Sequence, residues 1–312
     1  MTTKIKVGLI NADAVETASI KDAQVTAAKL ATDSVTTVKI EDGAVTAAKL
    51  ATAATGLPTA YIGGLRLSND TDTAHDVNIT AGQARDATDA KDITLASEIT
   101  KRIDAAWAVG NDAGGLDGTE SSTGTPDAST LYYVWLILRS DTSVVDALFS
   151  ESATSPTMPT NYDYKRLIGC VKTDGSANII AFTHRGDYFR YTGDVILDIN
   201  DTSTTASFET AVISCPANCL AEVYVGAESG SGVNLGATVR PVSSADDGTV
   251  DEASVYAVIS HDGGSDVDYT TLTGVDTVLV NSSSQIQYAG QALTSTVTVA
   301  TKAFTMLTRT DP

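Results

Sequence analysis

Every fifth residue from Ile5 to Leu50 is aliphatic: Ile5, Ile10, Val15, Ile20, Val25, Leu30, Val35, Ile40, Val45 and Leu50. An α-helix turns about 100° per residue, so a step of five precesses and draws no straight stripe. A strand alternates faces, so an odd step sends successive aliphatics to opposite sides. One bulky residue in five is also too sparse for an ordinary single-chain core. Several copies wound together, each supplying aliphatics to a shared axis, satisfy the pattern. These ten positions are therefore the expected core of a homotrimeric stalk.

A second rhythm of ten residues overlies the first. Val25-Thr26-Ala27-Ala28-Lys29-Leu30 returns as Val35-Thr36-Thr37-Val38-Lys39-Ile40 and as Val45-Thr46-Ala47-Ala48-Lys49-Leu50. Each decamer reads as one rung, a short extended piece followed by a tight turn. Thr26, Thr36 and Thr46 are placed to cap single helical turns that are too short to stand alone. Ten residues are few for a self-sufficient solenoid coil, whereas three decamers per layer close a rung. The competing reading is a low-complexity Ala/Thr spacer.

Gly56 and Pro58 break the rhythm and mark a boundary. Residues 56–200 read as a β-rich trimeric domain with one helix. Strands are expected over 61–67, 76–79, 131–139 and 144–150, the apolar run 131–139 forming the centre of the core. Leu95, Ile99, Ile103, Ala106 and Trp107 predict a helix at about 95–109. Residues 110–127 read as a Gly/Ser/Thr/Asp loop. Asp174-Gly175 predicts a hairpin with arms 166–173 and 178–184. Residues 201–312 read as a separate all-β unit. Its strands are expected over 210–214, 221–226, 238–242, 254–260, 277–280 and 295–301, in the cadence of a sandwich or jelly roll.

Charge refines this picture. The chain has 312 residues and a formal net charge of -19. Residues 1–55 are neutral, 56–200 carry net -9, and 201–312 carry net -10 from 13 acids against Arg240, Lys302 and Arg309. Such an acidic C-terminal third repels phosphates and argues against nucleic-acid partners. No apolar run is long enough for a membrane span, so no membrane insertion is expected. Met1 to Gly8 is too short and charged for the apolar core of a signal peptide, which points to assembly in a cytoplasm.

Candidate chemistry is sparse. Asp262, Asp266 and Asp268 cluster on a glycine loop. They are the candidate Ca2+ ligands, although the loop lacks the full EF-hand pattern and also reads as a solvated acidic turn. No other cofactor is expected. Cys215 and Cys219 stand four apart, a spacing open to a disulfide, a metal or plain buried thiols; the third cysteine is Cys170. His75, His184 and His261 each neighbour an acid, yet no Gly-x-Ser-x-Gly elbow accompanies them, so they read as surface-loop histidines. Arg185-Gly186-Asp187 reads as a turn. No catalytic residue is assigned and no enzyme activity is expected. A polysaccharide-cleaving tailspike is the enzymatic alternative, since carboxylates are plentiful.

The decamers, clearest in Asp42-Gly43-Ala44-Val45-Thr46-Ala47-Ala48-Lys49-Leu50-Ala51, resemble the stalk repeats of bacteriophage tail-fibre proteins. Gly64-Leu65-Arg66-Leu67-Ser68-Asn69, Asp104-Ala105-Ala106-Trp107-Ala108-Val109-Gly110, Val134-Trp135-Leu136-Ile137, Asp146-Ala147-Leu148-Phe149-Ser150 and Met158-Pro159 resemble a module of phage structural proteins. The resemblance covers roughly residues 1–195. It implies a virion part and a homotrimer, attached to other virion proteins through its N-terminus and facing a host cell-surface receptor through its C-terminus. A capsid-bound head fibre or decoration protein has the same signature.

Overall fold

The computed structural model describes residues 25, 26, 28, 30, 32, 36, 40, 45 and 46, then 56–118, 124–193, 195–203, 207–229, 235–242, 257–261, 270–290 and 295–307. The chain divides into two units, Met1–Gly56 and Leu57–Pro312. The second is mainly β, and no helix occurs among its described residues.

Its first layer system is a seven-stranded sheet in the order β10-β8-β9-β7-β6-β3-β2. The strands are β2 (Leu67–Asn69), β3 (Asp76–Ile79), β6 (Ile99–Ala106), β7 (Ala113–Leu116), β8 (Leu131–Arg139), β9 (Val145–Ser150) and β10 (Tyr162–Lys172). A small sheet of β1 (Ile62–Gly64), β4 (Gly82–Arg85) and β5 (Asp92–Leu95) packs on it, with β5 against β8 and β9. Strand β8 has the bounds its apolar run predicts. It is buried from Tyr132 to Leu138 because β10 and β9 flank it in the sheet and its faces are covered. A strand buried on both faces reads as continuous apolar sequence, not as alternation.

The helix expected at about 95–109 is absent: residues 99–106 are strand β6. The spacing of Leu95, Ile99 and Ile103 is four, an even step that fits alternate strand positions as well as a helix face. Pairing decides the matter. Strand β3 offers an antiparallel register from Asp76↔Arg102 to Ile79↔Ile99, and β7 adds a parallel one. The β-branched Ile99, Thr100 and Ile103 suit that environment. Within the expected loop 110–127 lies β7, which its glycines permit. A Cβ on Gly115 would stand 2.6 Å from the Phe149 ring, so only glycine lets β7 pass between β6 and β9.

The second system is a six-stranded sheet facing a four-stranded one. The former runs β11 (Phe182–Arg185), β12 (Tyr188–Tyr191), β20 (Ser295–Met306), β15 (Cys219–Ser229), β18 (Thr270–Leu279), with β13 (Ile196–Asp201) also paired to β20. The latter runs β14 (Glu209–Val212), β19 (Gln285–Gly290), β16 (Leu235–Pro241), β17 (Ala257–His261). Strand β16 packs against β15, β18 and β20. Ala221, Val223, Val225 and Ala227 of β15 are buried together with Ala237 and Val239 of β16.

The boundary expected at residue 200 is not a break in pairing. It falls inside β13, and β11 to β13 join the same sheet as β15, β18 and β20. The change in charge there marks the surface, not the hydrogen-bonded framework. The expected hairpin also differs. Asp174 accepts the N–H groups of Ser176 (2.8 Å) and Asn178 (2.9 Å), making the turn, but its arms share one bridge, Thr173↔Ile179. Beyond it β11 leaves β10 to pair with β12.

Candidate interaction surface

The nine described residues before Gly56 in the N-terminal unit are all exposed. Among the ten expected trimer-core positions, Val25 is 54% exposed, Leu30 46%, Ile40 41% and Val45 50%. Ile5, Ile10, Val15, Ile20, Val35 and Leu50 lie outside the described residues. Four aliphatics at five-residue multiples thus face outward in a single copy. Covering a half-exposed Val or Leu stabilises by about 1 kcal/mol. A second apolar surface, not read from the sequence, carries Leu197, Leu220, Val275 and Leu279, all exposed on the six-stranded sheet. Its signal was present as aliphatics at alternate strand positions, but alternation does not say which face is solvated.

The candidate Ca2+ ligands Asp262, Asp266 and Asp268 lie outside the described residues. Elsewhere, no group of three or more His, Cys, Asp or Glu side chains among the described residues is arranged to hold a metal ion. No helix among them is long and apolar enough to cross a membrane.

The three cysteines are free and buried. Cys215 and Cys219 flank the turn that leads into β15, and their thiols are hydrogen-bonded to each other. That bond, then burial, pushes the Cys215 thiol well up. Burial does the same to Cys170, which lies near Cys219. Thiols held protonated in this way are poor nucleophiles and poor metal ligands.

The histidines differ from one another. His75 is a loop residue whose Nδ1 lies 3.0 Å from Asp72. The side chain of His261 lies outside the described residues. His184 is not a surface histidine: it is 5% exposed and stacks on Phe189 with ring centroids 4.1 Å apart. Its Nδ1 accepts the Leu67 N–H (2.9 Å), which leaves Nε2 to donate to the Gly186 carbonyl (2.5 Å). The ring is thereby fixed as a neutral tautomer tying β2 to β11. Arg185 is the last residue of β11, and Gly186-Asp187 forms the turn to β12, with Gly186 at φ +61°.

The strongest electrostatic feature was hidden in the sequence. Lys101 of β6 and Asp146 of β9 form an ion pair at 3.2 Å, with side chains 0% and 2% exposed. Lys101 Nζ also donates to the carbonyls of Ala108 (2.7 Å) and Gly110 (3.3 Å). Asp146 accepts the N–H groups of Gly110 (2.8 Å) and Ala147 (2.7 Å). Burial lowers the Lys101 pKa, and Asp146 offsets that in part. Both charges are surrounded by protein hydrogen bonds, so the pair reads as structural.

Two clefts lie among the described residues. One of about 150 Å³ lies between Trp107, Leu116, Asp117 and Met158. Another of about 450 Å³ is bordered by Asn218, Pro241, Leu279, Asn281 and Leu307. The lining of the second contains no titratable side chain. Its edge is continuous with the exposed apolar face through Leu279. Comparison with known protein families and with curated proteins finds no match for this chain.

Proposed function

We propose that the protein is a structural fibre protein of a bacteriophage virion, a homotrimer involved in host attachment. Its N-terminal decamers wind three chains into a stalk that docks on other virion proteins. The two facing sheets of the C-terminal part serve as a sandwich tip directed at a host cell-surface receptor. The observation that carries this reading is the unbroken five-residue aliphatic series, of which Val25, Leu30, Ile40 and Val45 stand exposed in one copy. Exposed apolar positions in such regular order are satisfied by sister chains, and separating the chains would return every rung to water at once. Three linked tips would bind a surface with avidity, because linkage raises effective concentration without new contacts.

The test is replacement of Val25, Leu30, Ile40 and Val45 by Asp in the full chain. The parent assembles as three chains of 32.3 kDa, about 97 kDa. The substituted chain dissociates at concentrations where the parent stays intact, and it binds host cells more weakly. Retention of the parent mass by the substituted chain would overturn the stalk.

A further inference from the structure

One face of the six-stranded sheet meets the four-stranded sheet; the other is turned outward. Cross-strand register aligns Val275, Tyr224, Ala300 and Leu197 in one row that crosses β18, β15, β20 and β13, with Val275 and Leu197 exposed at its ends and Ala300 buried between them. Two rows away, Leu220 and Leu279 stand side by side. The solvated face of an antiparallel sheet is normally polar. Here Leu197 is 57% exposed, Val275 51%, Leu279 47% and Leu220 37%. Four large aliphatics exposed on one sheet face mark a candidate interaction surface.

Charge points to the occupant. The chain carries -19, so most surfaces of two copies repel each other. On this face the carboxylate between the apolar rows is Glu222, and it is neutralised. Lys302 Nζ lies 2.9 Å from it, and the Tyr188 hydroxyl donates to it at 3.3 Å. Lys302 also sits over the Tyr224 ring, 5.1 Å from its centroid. An acidic chain can meet another copy of itself across such a neutral apolar strip.

The geometry also fixes how the copies meet. Among the described residues β13 pairs only with β20, and β18 only with β15, so Leu197 and Val275 lie toward opposite edges of the sheet. Contact between two different edges joins copies head to tail, and such a contact closes into a ring when the rotation permits. A threefold ring needs an interface of this unlike-edged type.

We propose that the β13 edge of one copy, bearing Leu197 with the exposed Val195 just before the strand, packs against the β18 edge of the next, bearing Val275 and Leu279. This rests on the trimeric fibre reading and names a second interface, separate from the stalk. Within one chain the two edges are three strand spacings apart, about 14 Å. A benzophenone side chain in place of Val275 in the full chain reports which copy it touches. Illumination is expected to link chains into species of two and three copies, and the linked peptide contains Leu197. Leu197→Glu, with Leu197→Ser as a milder partner, lowers the linked fraction at least about tenfold, a ratio equivalent to about 1.4 kcal/mol. Leu197 is exposed in the single copy, so both variants keep the parent's β-sheet circular-dichroism spectrum. If chains of trimer mass give no link between copies, or link Val275 to Val275, the edge-to-edge contact is overturned while the stalk stands. If the intact chain has the mass of one copy, the fibre reading falls and takes this interface with it.

Discussion

Removing Asp146 tests the packing of the seven-stranded sheet at its most demanding point. Asp146→Ala leaves the Lys101 ammonium, fully buried, with the Ala108 and Gly110 carbonyls and the Trp107 ring as partners but no counter-charge. It also strips the Gly110 and Ala147 N–H groups of their acceptor. Breaking a buried pair by deleting one member costs about 3–5 kcal/mol, and the two orphaned donors place this site toward the upper end. For a unit of this size the unfolding midpoint should drop by roughly 6–20 °C. Lys101→Met should cost less, because Asp146 keeps both of its backbone N–H bonds. The pH dependence supplies a second readout. The Lys101 pKa is lowered in the fold, so the unfolded chain binds the proton more tightly than the native chain. The cost of the buried ammonium is therefore present at neutral pH and relieved as pH rises from the folded pKa toward 10.5. Parent stability should rise relative to Lys101→Met across that window. The assay is denaturant unfolding of parent and both variants at one fixed protein concentration. A loss below about 1 kcal/mol for Asp146→Ala would refute the reasoning.

Two further substitutions probe other contacts. Asp86, 1% exposed, accepts the N–H groups of Thr88, Ala90 and Lys91 and the Thr88 hydroxyl. Burial pushes its carboxyl up, but these hydrogen bonds outweigh burial and hold the pKa below 3.8. Its contribution is thus present above pH 3.8 and lost as pH falls through the folded pKa. Asp86→Asn should cost about 1–3 kcal/mol at pH 7, with the gap to the parent closing in acid; a pH-independent gap would contradict this. At Gly169 an added Cβ would stand 2.6 Å from Leu67 Cδ1 and 2.8 Å from Phe189 Cζ. Gly169→Ala should therefore overpack that contact by about 1–3 kcal/mol in calorimetry, and an unchanged midpoint would show that the two side chains give way freely.

Strands carried by long apolar or alternating runs were legible in the sequence. Strand β8 has its predicted bounds, and β3 and β9 fall within a residue of theirs. Strand β6 was misread because Leu95, Ile99 and Ile103 satisfy both periods, and the choice is made by β3, a partner distant in sequence. Strand β7 was hidden because Gly114 and Gly115 signal a loop locally, while their small size serves a close passage between strands. Residue spacing likewise cannot reveal that Lys101 meets Asp146, or that His184 is buried by Phe189 and Leu67. The outer apolar face escaped notice for a related reason. Alternation in β15 and β18 names two faces, and only the position of the four-stranded sheet decides which one is covered.

The intact chain at micromolar concentration, weighed by sedimentation equilibrium, bears most directly on the self-assembly from which the fibre reading follows. Three associated copies, about 97 kDa, are predicted. A mass of 32.3 kDa, one copy with Val25, Leu30, Ile40 and Val45 still in water, would contradict it.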